Sequence, residues 1–170
     1  MKKLSLLVIA FMVFTACQQK GPERYTNSGP EIDIVKSLIN DYNNGNWESW
    51  ASHYADTAKI YHNTLEASNT SDVVEGLKAN LAATSAYGFV DKDMFHERII
   101  DDDNETWVNF WATWKGTLEG SGEQLIIPVH LTAQFIDGKI VEEHAYYDLS
   151  KFVVAMQNIE AAKMEETTEE

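Results

Sequence analysis

The sequence predicts a single α+β domain, with helices grouped early and an antiparallel sheet late. Two patterns carry this. Up to Gly88 the apolar residues recur mostly with helical spacing, whereas from Phe89 they alternate with period two between turn signals. The stretch from Glu31 to Lys163 is enough chain for one core, and no internal repeat divides it.

The elements follow in order. Ser28 and Glu31 have capping-box spacing, Pro30 suits a first turn, and Val35, Leu38, Ile39 and Tyr42 form one helical face that Asn43-Asn44-Gly45 ends. Asn46 can cap a second, shorter helix whose Trp47, Trp50, Ala51 and Tyr54 share a face. Asp56-Thr57 breaks to a short strand from Ala58 to His62, and a polar loop runs from Asn63 to Thr70. Ser71 then caps a third helix with Val74, Leu77 and Leu81 facing inward, stopped by Gly88. Strands are expected at Phe89 to Ile100, Trp107 to Leu118, Gln124 to Ile136 and Lys139 to Asp148. Asp137-Gly138 is a strong two-residue hairpin signal. Ser150 caps a closing helix carrying Phe152, Val153, Met156 and Ile159.

The N-terminus reads as an export signal. Lys2 and Lys3 precede an apolar run from Leu4 to Phe14, and the small residues Thr15 and Ala16 stand before Cys17. The run is shorter than the roughly 20 residues a bilayer span requires. Phe14-Thr15-Ala16-Cys17 resembles a bacterial lipobox, whose usual pattern has leucine at the first position, and Cys17 is the only cysteine. The expected layout is a signal peptide over 1–16, lipidated Cys17 and a flexible tether over 17–30, a domain over 31–163 and a disordered acidic tail over 164–170. Several acyl chains on one cysteine would anchor the protein stably to a membrane. That places it in the bacterial cell envelope, outside the cytoplasm, and Gln18 favours the outer membrane by resemblance to sorting patterns. With no other cysteine, disulfides and thiolate metal sites are excluded.

Thirteen Lys and Arg stand against 27 Asp and Glu, a formal net charge of −14. Loss of Lys2 and Lys3 with the leader leaves 11 basic residues and a charge of −16. No basic patch offsets this, so nucleic acid is not an expected partner.

The stretches "WESWASHYADTAKI" and "FIDGKIVEEHAYYD", set among these elements, resemble the SnoaL-like branch of the NTF2-like superfamily. Tyr54-Ala55-Asp56 matches its early signature, and Phe135, Asp137 to Glu142 and Asp148 match its final hairpin. The resemblance spans about 31–150. It implies an NTF2-like cone, a curved antiparallel sheet packed against N-terminal helices around a pocket. Relatives include polyketide cyclases, ketosteroid isomerases, dehydratases and proteins that only bind, so function must be argued from the site.

On the last strand, period two puts Ile140, Glu142, His144, Tyr146 and Asp148 on one face, with Leu131 and Val129 opposite His144 and Tyr146. This is the expected pocket wall. By position, Asp148 matches the general acid/base of the cyclase branch, and it also suits a cap for the closing helix. That branch places a histidine one strand upstream, where this chain has Gln134. His130 lies four residues earlier and faces away from Asp148 unless a bulge intervenes. Tyr54 and His62 are pocket candidates by family analogy. Trp107 and Trp111 share one strand face and Trp114 the other, so one face enters the core and the other meets a ligand or partner, with Trp111 a ligand-binding candidate. His53, His62 and His144 lack metal-ligand spacing and read as ordinary hydrogen-bonded residues. No cofactor motif is present, neither a glycine-rich phosphate loop nor GxSxG.

Three functions follow. The first is a tethered lipoprotein binding a small, mainly apolar molecule. The second is an isomerase, cyclase or dehydratase using Asp148, with His144 or Tyr146 orienting the substrate. The third is a non-catalytic homodimer joined through the aromatic sheet face.

Overall fold

The computed structural model describes residues 23–168, so the leader and Cys17 lie outside it. The chain runs β1 (Tyr25–Thr26), α1 (Pro30–Asn43), α2 (Trp47–Ser52), β2 (Tyr54–His62), α3 (Thr70–Leu81) and β3 (Thr84–Phe89). After a 3-10 turn (Asp91–Asp93) come β4 (Phe95–Ile100), β5 (Thr106–Leu118), β6 (Gln124–Ile136), β7 (Lys139–Tyr147) and α4 (Ser150–Thr168). The helix α4 extends past the Lys163 boundary drawn from sequence, and β1 lies inside the stretch drawn as tether.

Each helix has a local cause. The α1 helix buries Ile32, Val35, Leu38, Ile39, Asp41 and Tyr42, a stripe at helical spacing. Its cap position is Gly29 rather than Ser28, whose hydroxyl instead meets the Thr26 hydroxyl at 3.3 Å. In α3 the cap is Asn69, not Ser71; its side chain accepts the Asp72 backbone N–H at 2.9 Å.

One seven-stranded sheet orders its strands β1-β4-β5-β6-β7-β2, with β3 also on β5. All pairs are antiparallel except β2 with β7, so the sheet is mixed rather than wholly antiparallel. The expected strand from Phe89 to Ile100 is two strands. Both lie along the same edge of β5, with Phe89 opposite Trp114 and Phe95 opposite Trp111. The turn between them is held by Asp93 N–H to the Val90 carbonyl at 3.0 Å and Met94 N–H to that of Asp91 at 3.2 Å.

The concave face is apolar. From β5 it takes Val108, Phe110, Ala112, Trp114 and Leu118, and from β6 Leu125, Ile127, Leu131, Ala133 and Phe135. The α1 stripe packs into the same core. Each large aliphatic side chain buried this way contributes about 1.5–3 kcal/mol.

The hairpin between β6 and β7 departs from simple alternation. Asp137 and Gly138 both have positive φ, 50° and 74°, as a two-residue type I′ turn requires. Phe135 opposes Ile140, but Gln134 opposes Glu142, so Val141 is an inserted bulge residue. Ile140 faces the core, and beyond the bulge so do Glu143, Ala145 and Tyr147. Glu142, His144 and Tyr146 turn outward.

A buried acid ties α1 to α2. Asp41 accepts hydrogen bonds from the Ser49 hydroxyl at 2.7 Å and His53 Nε2 at 2.9 Å, with Asn46 Nδ2 at 3.5 Å. Burial pushes the Asp41 carboxyl up, but the Ser49, His53 and Asn46 hydrogen bonds together outweigh it and hold it below its usual value. A depressed folded-state pKa gives stability that is complete above the unfolded value, near 3.9, and is lost as pH falls through the folded one. Asp41→Asn should therefore destabilise the protein at about pH 6, with the deficit shrinking toward about pH 3 in urea unfolding. A pH-independent deficit would assign Asp41 a packing role alone.

Candidate functional site

The open end of the cone is a cavity of about 120 Å³ between the concave sheet and the helices α1, α3 and α4. Its wall is mostly hydrocarbon and aromatic ring. Leu38, Leu81, Ile127, Val129 and Leu131 supply the aliphatic part, and Tyr42, Phe89 and Trp114 much of the aromatic part. Leu149 and Phe152, where α4 begins, close one side. Trp114 donates its indole N–H to the Tyr42 hydroxyl at 3.0 Å, fixing both rings.

Into this wall the bulged strand sets one carboxylate. Glu143 is 1% exposed, and both its oxygens are engaged. The Tyr54 hydroxyl donates to Oε2 at 2.6 Å, and His62 Nε2 lies 3.0 Å from Oε1. At the far side of the imidazole, Nδ1 lies 3.3 Å from the Tyr147 hydroxyl. With the His62 proton on Nε2, that nitrogen donates to the carboxylate and Nδ1 accepts from Tyr147. The order Tyr54–Glu143–His62–Tyr147 is a continuous hydrogen-bonded chain along the pocket wall.

Burial, then the neighbouring Glu143 charge and its hydrogen bond, pushes the Tyr54 phenol well above its ordinary value. Burial followed by the Glu143 charge raises Tyr147 likewise. Both phenols therefore remain protonated donors at neutral pH. The chain can hold a polar group against an otherwise apolar surface, and it can move a proton between carboxylate and imidazole.

The structure separates the sequence candidates into two groups. Tyr54 and His62 line the cavity. Trp111, His144 and Tyr146 do not, because they stand on the convex face; the pocket tryptophans are Trp114 and Trp50. Asp148 is exposed and accepts the Ser150 backbone N–H at 2.8 Å at the start of α4, and it is not part of the cavity lining. That backbone hydrogen bond, with a second from the Ser150 side chain, holds its carboxyl below the usual range. Asp148→Ala should fray the first turn of α4, seen as faster amide exchange there, and leave pocket binding within about twofold of wild type. A large loss of binding would return Asp148 to the site.

Glu143 and Tyr147 escape a sequence reading because strict alternation puts them outside, and one inserted residue inverts that. The visible signal is the pair Ala145 and Tyr147, which continue the apolar face only if a residue is skipped after Ile140. The bulge also places His130 opposite Tyr146 on the convex side. His53, His62 and His144 each meet a different carboxylate, of Asp41, Glu143 and Glu142 respectively. Among the described residues no three potential ligands converge as a metal site.

This fold and pocket have counterparts. Residues 35–143 match the model of the SnoaL-like domain. The chain belongs to the SnoaL-like family. Among curated proteins none matches it. Similar solved structures include a candidate SnoaL-like polyketide cyclase from Jannaschia sp. CCS1, 15% identical with a TM-score of 0.62 over 79% of this chain and 96% of that one. A candidate polyketide cyclase from Xanthomonas campestris pv. campestris is 16% identical, TM-score 0.61, over 76% and 98%. A hypothetical protein with a ketosteroid isomerase-like fold from Catenulispora acidiphila DSM 44928, solved in complex with trimethylamine, is 14% identical, TM-score 0.55, over 69% and 87%. At these identities the likeness shows the fold, and the SnoaL-like chain is an NTF2-like cone. Its site must be judged on its own residues.

Proposed function

We propose that this SnoaL-like protein binds a small, mainly apolar molecule in its cone, with the ligand's polar end held by the chain from Tyr54 to Tyr147. The observation that carries this is the Glu143 carboxylate, 1% exposed, in the wall of an apolar cavity of about 120 Å³. A few convergent polar groups on an apolar surface are what a small-molecule site needs. An apolar cavity of roughly 150 Å³ holds benzene, so this hollow suits a molecule of one ring or a short branched chain. Trimethylamine, the molecule bound by the Catenulispora protein, is of that order. A tetracyclic substrate would need the α4 side to open.

Native mass spectrometry of protein purified from its own source tests the reading. The expected result is a co-purified small molecule, lost in Ala145→Leu, whose added carbons fill the hollow. A bare polypeptide mass, together with no ligand response in the wild type, would overturn it.

A catalytic reading is favoured by the same hydrogen-bonded chain. Glu143 and His62, in place of Asp148, would be the acid–base pair of an isomerase, cyclase or dehydratase. Turnover of a bound carbonyl compound that Glu143→Gln abolishes without loss of binding would establish it.

The tether and its partner surface complete the proposal. Cys17 is read as the lipidated residue holding the domain to the envelope membrane, and incorporation of a labelled fatty acid that Cys17→Ser abolishes is the test. On the convex sheet face Phe95, Trp111, His130 and Tyr146 form one row across four strands, and Trp111 and His130 stack at 4.8 Å. Phe95 and Tyr146 are each 54% exposed, so the row supports a homodimer through this face. Light scattering should give a dimer that Trp111→Lys dissociates; a monomer at high concentration removes the idea.

A further inference from the structure

We propose that the molecule held in the cone carries a methylated ammonium group, recognised by Glu143 and the aromatic rings around it. This rests on the small-molecule reading above and adds the charge class of the ligand.

The first argument is charge balance. Among the described residues lining the cavity, Glu143 is the one carboxylate, and neither lysine nor arginine joins it. Its two hydrogen-bond partners are a phenol and an imidazole. The carboxyl group is 1% exposed, and no lysine or arginine in the described lining stands ready to pair with it. A cation placed beside it would supply the permanent positive charge the wall lacks, which a hydrocarbon ligand could not do. The chain's net charge of −14 also draws cations toward the protein and repels anions.

The second argument is the lining. Tyr42, Trp50, Phe89, Trp114, Tyr147 and Phe152 surround the hollow, joined by Tyr54 beside the carboxylate. Tyr42 packs against Phe89 with centroids 5.3 Å apart, and Trp50 against Tyr54 at 4.6 Å, so the lining contains two packed ring pairs. The π face of each ring is negative, and walls of this kind recognise quaternary ammonium groups.

The third argument decides which cation. A primary ammonium needs three acceptors, but both Glu143 oxygens are already engaged and the rest of the wall is nearly all apolar. A calcium or magnesium ion needs about six oxygen ligands, which the site lacks. A tertiary ammonium donates one hydrogen bond and a quaternary one none, and their methyl groups suit hydrocarbon and ring. A cavity of about 120 Å³ admits such a head group with little to spare.

The test compares choline chloride with its uncharged tert-butyl analogue, in which carbon replaces nitrogen, by calorimetric titration of the purified protein. Choline should bind about tenfold more tightly than the analogue. Glu143→Gln should bring the two within about twofold of each other. Should that variant fail to fold, Phe89→Leu, which removes a ring face but keeps apolar bulk, should shrink the preference by about threefold. Ala145→Leu should abolish binding of both. If the analogue binds as tightly as choline in the wild type, the ammonium inference is overturned while the small-molecule reading stands. If neither binds, the ammonium inference falls, and the small-molecule reading is decided by the co-purified ligand; if both persist in Ala145→Leu, they bind outside the cone and the ammonium inference falls too.

Discussion

Glu143→Ala is expected to destabilise the protein by about 3 kcal/mol, because it orphans two buried partners at once. The Tyr54 hydroxyl loses its acceptor at 2.6 Å and His62 Nε2 loses the oxygen at 3.0 Å. Each buried unsatisfied group costs about 1–3 kcal/mol, and the missing side chain enlarges the neighbouring cavity. Against a typical total of about 5–15 kcal/mol, this is a large fraction. Glu143→Gln should cost less, about 1–2 kcal/mol, since its carbonyl can still accept from Tyr54 and its amide can donate to His62 in the other tautomer. Urea unfolding should show lowered midpoints with unchanged slope. If Glu143→Ala unfolds like wild type, the carboxylate is wet and the site described above does not exist.

The second large effect comes from a residue with no side chain. Gly116 lies on the concave face of β5, and a β-carbon built there would overlap the Trp114 ring, which lies across it. The ring cannot yield without leaving its hydrogen bond to Tyr42, 3.0 Å away. Gly116→Ala should therefore cost about 2–3 kcal/mol from overpacking and the broken bond. Trp114 also lines the cavity, so moving its indole alters that wall. Ligand binding should fall along with stability, and the tryptophan emission should shift. A stable variant with normal binding would mean that Trp114 has a second rotamer clear of the pocket.

These two residues also show what a single sequence reveals and conceals. The helical stripe of α1, the alternation of β6 and the Asp137-Gly138 turn are legible, because each is a local pattern of burial or backbone freedom. The parallel pairing of β2 with β7 is not, since it joins segments separated by most of the domain. Nor is the split between β3 and β4, where a short polar stretch from Asp91 to Asp93 resembles any strand interior with outward charges. Part of the cavity wall can be read. Family likeness points to Tyr54 and His62, and both line the cavity, whereas Trp111, His144, Tyr146 and Asp148 lie outside it. One cause covers the last strand: Val141 adds a residue without any mark in composition, and every side chain after it changes face. For Trp111 the pattern leaves both faces of β5 aromatic, and only the helices, which cover one of them, break the tie.

The short strand β1 has a practical meaning for anyone trimming the chain. Tyr25 and Thr26 pair with Ile99 and Arg98, the Arg24 carbonyl accepts the Ile100 N–H at 2.9 Å, and Arg24 meets Asp102 at 2.9 Å. Cutting at Glu31 would strip that cover and leave the backbone donors and acceptors of β4 open to a foreign strand, the usual route to edge-to-edge aggregation. A soluble fragment should therefore start no later than Arg24.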